Sequence, residues 1–108
     1  MEQPKDLNCL VETLLAFYKE RDWEKFHSPK NLVMNLASET GELLDHFRWL
    51  TEEESYKLGP ETRQEVSDEI ADVFQSILAL AEKLGIDPIQ ATYHKLKKLE
   101  KKYPKMPC

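Results

Sequence analysis

Apolar residues recur at three- and four-residue intervals along nearly the whole chain. That spacing puts side chains on one face of an α-helix, and no stretch shows the alternation that a half-buried strand requires. From Lys5 to Arg21, the residues Leu7, Leu10, Val11, Leu14, Leu15 and Tyr18 form one amphipathic face and predict a first helix. Asp22 to His27 is a loop. Ser28 then offers an N-cap hydroxyl and Pro29 a fixed φ suited to the first helical position, so a second helix starts there and runs to about Leu50. Leu32, Val33, Leu36, Leu43 and Phe47 mark its buried face. Thr51 to Gly59 is acidic and poor in apolar residues, and reads as a connection. Pro60 opens a third helix with Val66, Ile70, Val73, Phe74, Ile77 and Ala81 on its core face, and Gly85 is the left-handed residue expected past its end. Asp87-Pro88 restarts the chain as a fourth helix presenting Ile89, Ala91, Thr92, Leu96 and Leu99. It stops before Pro104, because a residue preceding proline resists the helical region. The pattern predicts an all-α, four-helix bundle-like domain over residues 1–108, with short links that favour antiparallel neighbours.

The polar positions carry the chemistry. Asn35, Glu39, Glu42 and His46 run along the border of the second helix's apolar stripe, and Glu65, Glu69, Asp72 and Ser76 follow a matching row on the third. If these helices lie side by side, Glu39, Glu42, Glu69 and Asp72 converge. Their charges then repel, and a divalent cation is the natural compensator. All-oxygen ligands suit Mg²⁺, with Mn²⁺ as a substitute. The Glu-x-x-His pairs of di-iron bundles are absent, since Asp45 and Gln75 stand at those places, although His46 is close by. Gly41, inside the second helix, suggests a close approach by backbone or ligand. The bland reading of these rows is a solvated helix face.

Charge and composition narrow the classes. A net charge of −5 argues against a nucleic-acid surface, which needs clustered Lys and Arg. Hydrophobic residues at 41% and charged residues at 32% favour neither disorder nor a membrane protein, and no apolar run is long enough to span a bilayer. The first residues lack a basic segment followed by an apolar one, and Cys9 and Cys108 read as thiols, so a cytoplasmic location is expected. The lysines gathered between Lys95 and Lys105 complement the negative pole of the last helix.

Glu39-Thr40-Gly41-Glu42-Leu43 followed by Glu69-Ile70-Ala71-Asp72-Val73 resembles the acidic signature of the MazG-like all-α nucleoside triphosphate pyrophosphohydrolases. The segments Arg21 to His27, Pro29 to Leu32, Phe47-Arg48-Trp49 and Lys101 to Pro104 resemble the dCTP pyrophosphatase branch. The resemblance implies a Mg²⁺-dependent, homodimeric or homotetrameric enzyme that hydrolyses a deoxynucleoside triphosphate, dCTP or a modified dCTP first, to the monophosphate and pyrophosphate. Glu39, Glu42, Glu69 and Asp72 fall on the family's metal-ligand positions, and Glu39 is the choice for orienting the attacking water. Lys95 matches a phosphate-contacting lysine, and Trp23 and Trp49 match aromatic positions around base and sugar. Leu14, Ser76 and Leu99 stand where that branch has histidine, tyrosine and asparagine, which puts strict cytosine selectivity in doubt. Two alternatives remain open: a non-catalytic helical interaction module, and a superfamily relative acting on dUTP, dUDP or phosphoribosyl-ATP.

Overall fold

The computed structural model describes residues 1–106, so Cys108 lies outside the described residues. They form five α-helices and no strand: α1 (Leu7–Glu20), α2 (Pro29–Asp45), α3 (Glu52–Ser55), α4 (Pro60–Lys83) and α5 (Pro88–Lys102). The four predicted helices are α1, α2, α4 and α5. The fifth, α3, is one turn inside the acidic connection, held by a capping box in which the Thr51 hydroxyl accepts from the Glu54 N–H and the Glu54 carboxylate accepts from the Thr51 N–H. Periodicity cannot reveal a helix of four residues; the Thr-x-x-Glu spacing could have.

The predicted helix starts hold for local reasons. The Ser28 hydroxyl accepts from the Asn31 N–H at 3.1 Å, Asp87 accepts from the Ile89 N–H at 2.9 Å, and Pro29, Pro60 and Pro88 each occupy a first-turn position. Asp6 caps α1 in the same way, accepting from the Cys9 N–H at 2.8 Å. Gly85 has φ +65°, the left-handed conformation expected past α4. The end of α2 differs from expectation. Beyond Asp45 the bonds tighten to three-residue steps, with the Phe47 N–H donating to the Leu44 carbonyl and the Leu50 N–H to the Phe47 carbonyl. The apolar pattern continues through this tightened turn, which is why it read as helix to Leu50.

The fold rests chiefly on α2 against α4, with α1 packed more lightly on α4. Leu14, Tyr18, Leu32, Leu78 and Ala79 form the core cluster, supported by Leu7, Leu10, Val11, Phe17 and Leu80. The expected core face of α4 is only partly inside the chain. Val66 is buried, but Ile70 is 55% exposed and Phe74 44%, and Ile77 is exposed as well, while Ser76, Leu78 and Ala79 take the buried positions. The helix is apolar on two sides, so a single stripe did not fix which side the chain itself covers. No residue of α5 is buried, although Ile89, Tyr93, Leu96 and Leu99 line up along it. No helix among the described residues is long and apolar enough to cross a membrane.

Candidate metal centre

Helices α2 and α4 run antiparallel in a register that pairs the two polar rows. Leu32 and Ala79 share the core cluster, the Asn35 amide Nδ2 donates to Ser76 Oγ at 3.0 Å, and His46 Nδ1 lies 3.6 Å from a Glu65 carboxylate oxygen. Between these two contacts lie the acids. Glu39, Glu69 and Asp72 each place a carboxylate oxygen within 4.8 Å of the others, Glu39 and Glu69 half-buried and Asp72 exposed. Glu42 lies outside this group of three but stays close enough to Glu39 to oppose its ionisation.

The electrostatics identify what the cluster lacks. Glu39 Oε2 and Glu69 Oε2 are buried with no hydrogen-bond partner among the described residues. A stranded carboxylate oxygen is costly unless it binds a proton or a cation. Desolvation first, then the neighbouring Glu42 and Asp72 carboxylates, push the Glu39 carboxyl up to about 7. Glu69 is raised as well, again mainly by desolvation, while its contact with Glu39 works the other way. The pair can therefore hold one proton between them when no cation is present. A surface acidic stripe would leave both oxygens hydrated. This donor set, all oxygen and anionic, fits a hard divalent cation held by Glu39, Glu69 and Asp72.

An aromatic group lies near the N-terminal end of α2. Tyr18, buried, meets His27 edge-to-face at 4.5 Å and lies 6.2 Å from Trp23, whose ring is in turn 5.6 Å from Phe17. Burial raises the Tyr18 phenol, and the negative charge of Asp72 adds to that shift. His27 is lowered by desolvation and by the positive charge of Lys83.

Three comparisons bear on this arrangement. Residues 35–106 match the MazG-like family, a span holding all four acids. The chain belongs to that family. dCTP pyrophosphatase 1 of Homo sapiens is 38% identical over 90 residues, which make up 82% of this chain and 53% of that protein. The Bos taurus protein of the same name is 37% identical over the same shares. This MazG-like chain thus spans about half the length of those relatives. A pyrophosphatase from Archaeoglobus fulgidus, known from its crystal structure, superposes with a TM-score of 0.87 at 36% identity, covering 97% of this chain and 98% of that one.

The remaining residues singled out from the sequence do not meet in one place. Trp23, 43% exposed, belongs to the aromatic group at the N-terminal end of α2. Trp49, 84% exposed with the Arg48 guanidinium 5.1 Å from its ring, follows the C-terminal end. The 17 residues of α2 separate them by about 25 Å. Lys95 is exposed on α5, a helix that packs only lightly on the rest of the chain. Leu14 is buried in the core cluster next to Tyr18. Gly41 has open space around it, since a Cβ there would meet nothing within 4 Å, so no backbone of this chain requires the glycine. The sequence places Tyr18 only in an apolar stripe; its position one turn from Leu14 and five residues before Trp23 gives no sign of the edge-to-face contact with His27.

Proposed function

We propose that this protein is a nucleoside triphosphate pyrophosphohydrolase that uses Mg²⁺, or Mn²⁺ in its place, to split a deoxynucleoside triphosphate into monophosphate and pyrophosphate. The observation that carries this reading is the pair of stranded oxygens on Glu39 and Glu69 beside Asp72. A hydrated interaction surface has no reason to bury them. A divalent cation, when bound there, neutralises the triphosphate and polarises its phosphorus–oxygen bonds. Glu39, Glu69 and Asp72 hold it, with Glu42 reaching in from the next turn. Glu39, the most perturbed acid, orients the water that attacks the α-phosphorus in line. The similarity to proteins named dCTP pyrophosphatase 1 favours dCTP or a modified dCTP among substrates.

The functional unit in this reading is a homo-oligomer, a dimer or a tetramer of paired dimers. The chain has a radius of gyration of 17.1 Å, against about 13 Å for a compact domain of this length. Ile70, Phe74 and Ile77 on α4 and Ile89, Tyr93, Leu96 and Leu99 on α5 are all exposed, apolar side chains of the kind that a second copy covers. A second copy also brings Trp49 and Lys95 within reach of a nucleotide that Trp23 contacts from the first. Sedimentation equilibrium tests this: a dimer or larger species is expected, and a monomer at micromolar concentration would refute the assembly.

The test of the reaction is a panel of canonical and modified dNTPs with Mg²⁺, with pyrophosphate and orthophosphate measured separately. Pyrophosphate is expected as the first product, with dCTP or its 5-modified forms among the better substrates and chelation stopping the release. Orthophosphate released first, from a preparation free of other phosphatases, would refute the assigned bond.

A further inference from the structure

Ser76 is the one buried polar residue among those described, 4% exposed, and its bond to Asn35 is the one side-chain hydrogen bond among them that joins two helices. A bond of that kind can simply clamp helices together. Its surroundings give it a second meaning. Asn35 precedes Glu39 by one helical turn on α2 and Ser76 follows Asp72 by one turn on α4, so the pair sits one turn, about 6 Å along the helices, from these acids, toward the N-terminal end of α2. Three chemically distinct zones therefore follow one another toward the N-terminal end of α2: the acids Glu39, Glu69 and Asp72, then the Asn35–Ser76 pair, then Tyr18, packed with Leu32 and Ala79, and its neighbours His27 and Trp23.

A nucleotide has the same three zones in the same order: anionic phosphates that need a cation, a sugar that needs hydrogen-bonding groups, and a flat base that stacks on aromatic rings. Asn35 is exposed, and one of its two N–H groups is taken by Ser76. Its carbonyl oxygen and second N–H stay free to meet a hydroxyl, which both donates and accepts. Ser76, buried behind it, fixes the direction of the amide. Resting on the pyrophosphohydrolase reading, we propose that Asn35, positioned by Ser76, binds the 3′-hydroxyl of the substrate sugar and so selects for nucleotides that carry it.

The experiment compares the best of the four dNTPs with its 2′,3′-dideoxy counterpart in wild type, Asn35→Ala, Asn35→Leu and Ser76→Ala. Wild type should prefer the dNTP in kcat/KM. Both Asn35 variants should shrink that preference by about three- to tenfold, the scale of one hydrogen bond, and Ser76→Ala should shrink it less. Asn35→Leu keeps most of the side-chain volume, and the Mg²⁺-induced rise in melting temperature should survive in all three variants, so a merely clamping role would not produce the pattern. Equal losses on both substrates would overturn the proposal, and so would a change in base preference with the 3′-hydroxyl preference intact. A wild type that releases pyrophosphate but does not distinguish the two sugars overturns the role of the pair alone. A wild type that hydrolyses no dNTP overturns the pyrophosphohydrolase reading and this inference with it.

Discussion

Glu69→Gln and Asp72→Asn should each lower kcat/KM for a dNTP by at least about a hundredfold, the scale of removing one preorganised charge from a reacting phosphate's surroundings. Neither should destabilise the cation-free protein. These side chains repel one another, and Glu69 carries a buried oxygen without a partner, so replacing a carboxylate by an amide removes a cost and adds a donor. Activity and stability thus move in opposite directions, as they do where a site is built for a ligand it must wait for. Steady-state kinetics with melting curves in EDTA checks both halves. Variants that keep full activity would show that the acids are only a solvated face. Variants that lose both activity and cation-free stability would show that the acids hold the fold and not a cation.

The acidic centre was legible in the sequence because helix periodicity is strict. Once Leu32 and Leu36 on one helix and Val66 on the other are set toward the core, Glu39 and Asp72 have one flank to occupy. The Asn35–Ser76 bond and the His46–Glu65 contact then confirm that the two flanks face each other. What was not legible depends on more than one helix. The sequence marks Ile70, Phe74 and Ile77 as core just as strongly as Val66, and nothing in it separates burial against α2 from burial against another molecule. The separation of Trp23 from Trp49 within one chain is illegible for a related reason. Both follow apolar stripes and both carry the same resemblance, yet α2 holds them at opposite ends, a separation that residue types do not encode. Tyr18 reads from the sequence as part of an apolar stripe, because its place beside Leu78 and Ala79 of α4 depends on how the helices pack.

In EDTA the part of the stability that Glu39→Gln removes should fall as pH rises from about 4.5 to about 7, and Mg²⁺ should reverse that trend. The sign follows from Glu39. Its carboxyl stands at about 7 in the folded chain against an ordinary 4.5, so between those values the native state holds a proton that the unfolded chain has released. A group raised in this way supports the fold fully below its unfolded value, and that support disappears as pH climbs through the folded one. Glu69 is shifted in the same direction as part of the same pair, while His27, lowered by burial, works against the trend below its ordinary value of 6.5. A cation binds the deprotonated acids, so its affinity grows over the same window in which the empty site becomes less stable. At 100 times its dissociation constant it should stabilise the fold by about 2.7 kcal/mol, which for a chain of this size raises the melting temperature by roughly 10–20 °C. Glu39→Gln should flatten the pH slope in EDTA, melt at or above the cation-free wild type near pH 7.5, and gain much less from Mg²⁺. Differential scanning fluorimetry at one fixed protein concentration, between pH 5 and 8 with EDTA, Mg²⁺ or Mn²⁺, measures every part of this. A wild-type melting temperature indifferent to both ions at pH 7.5 would remove the metal centre, and the pyrophosphohydrolase reading would fall with it.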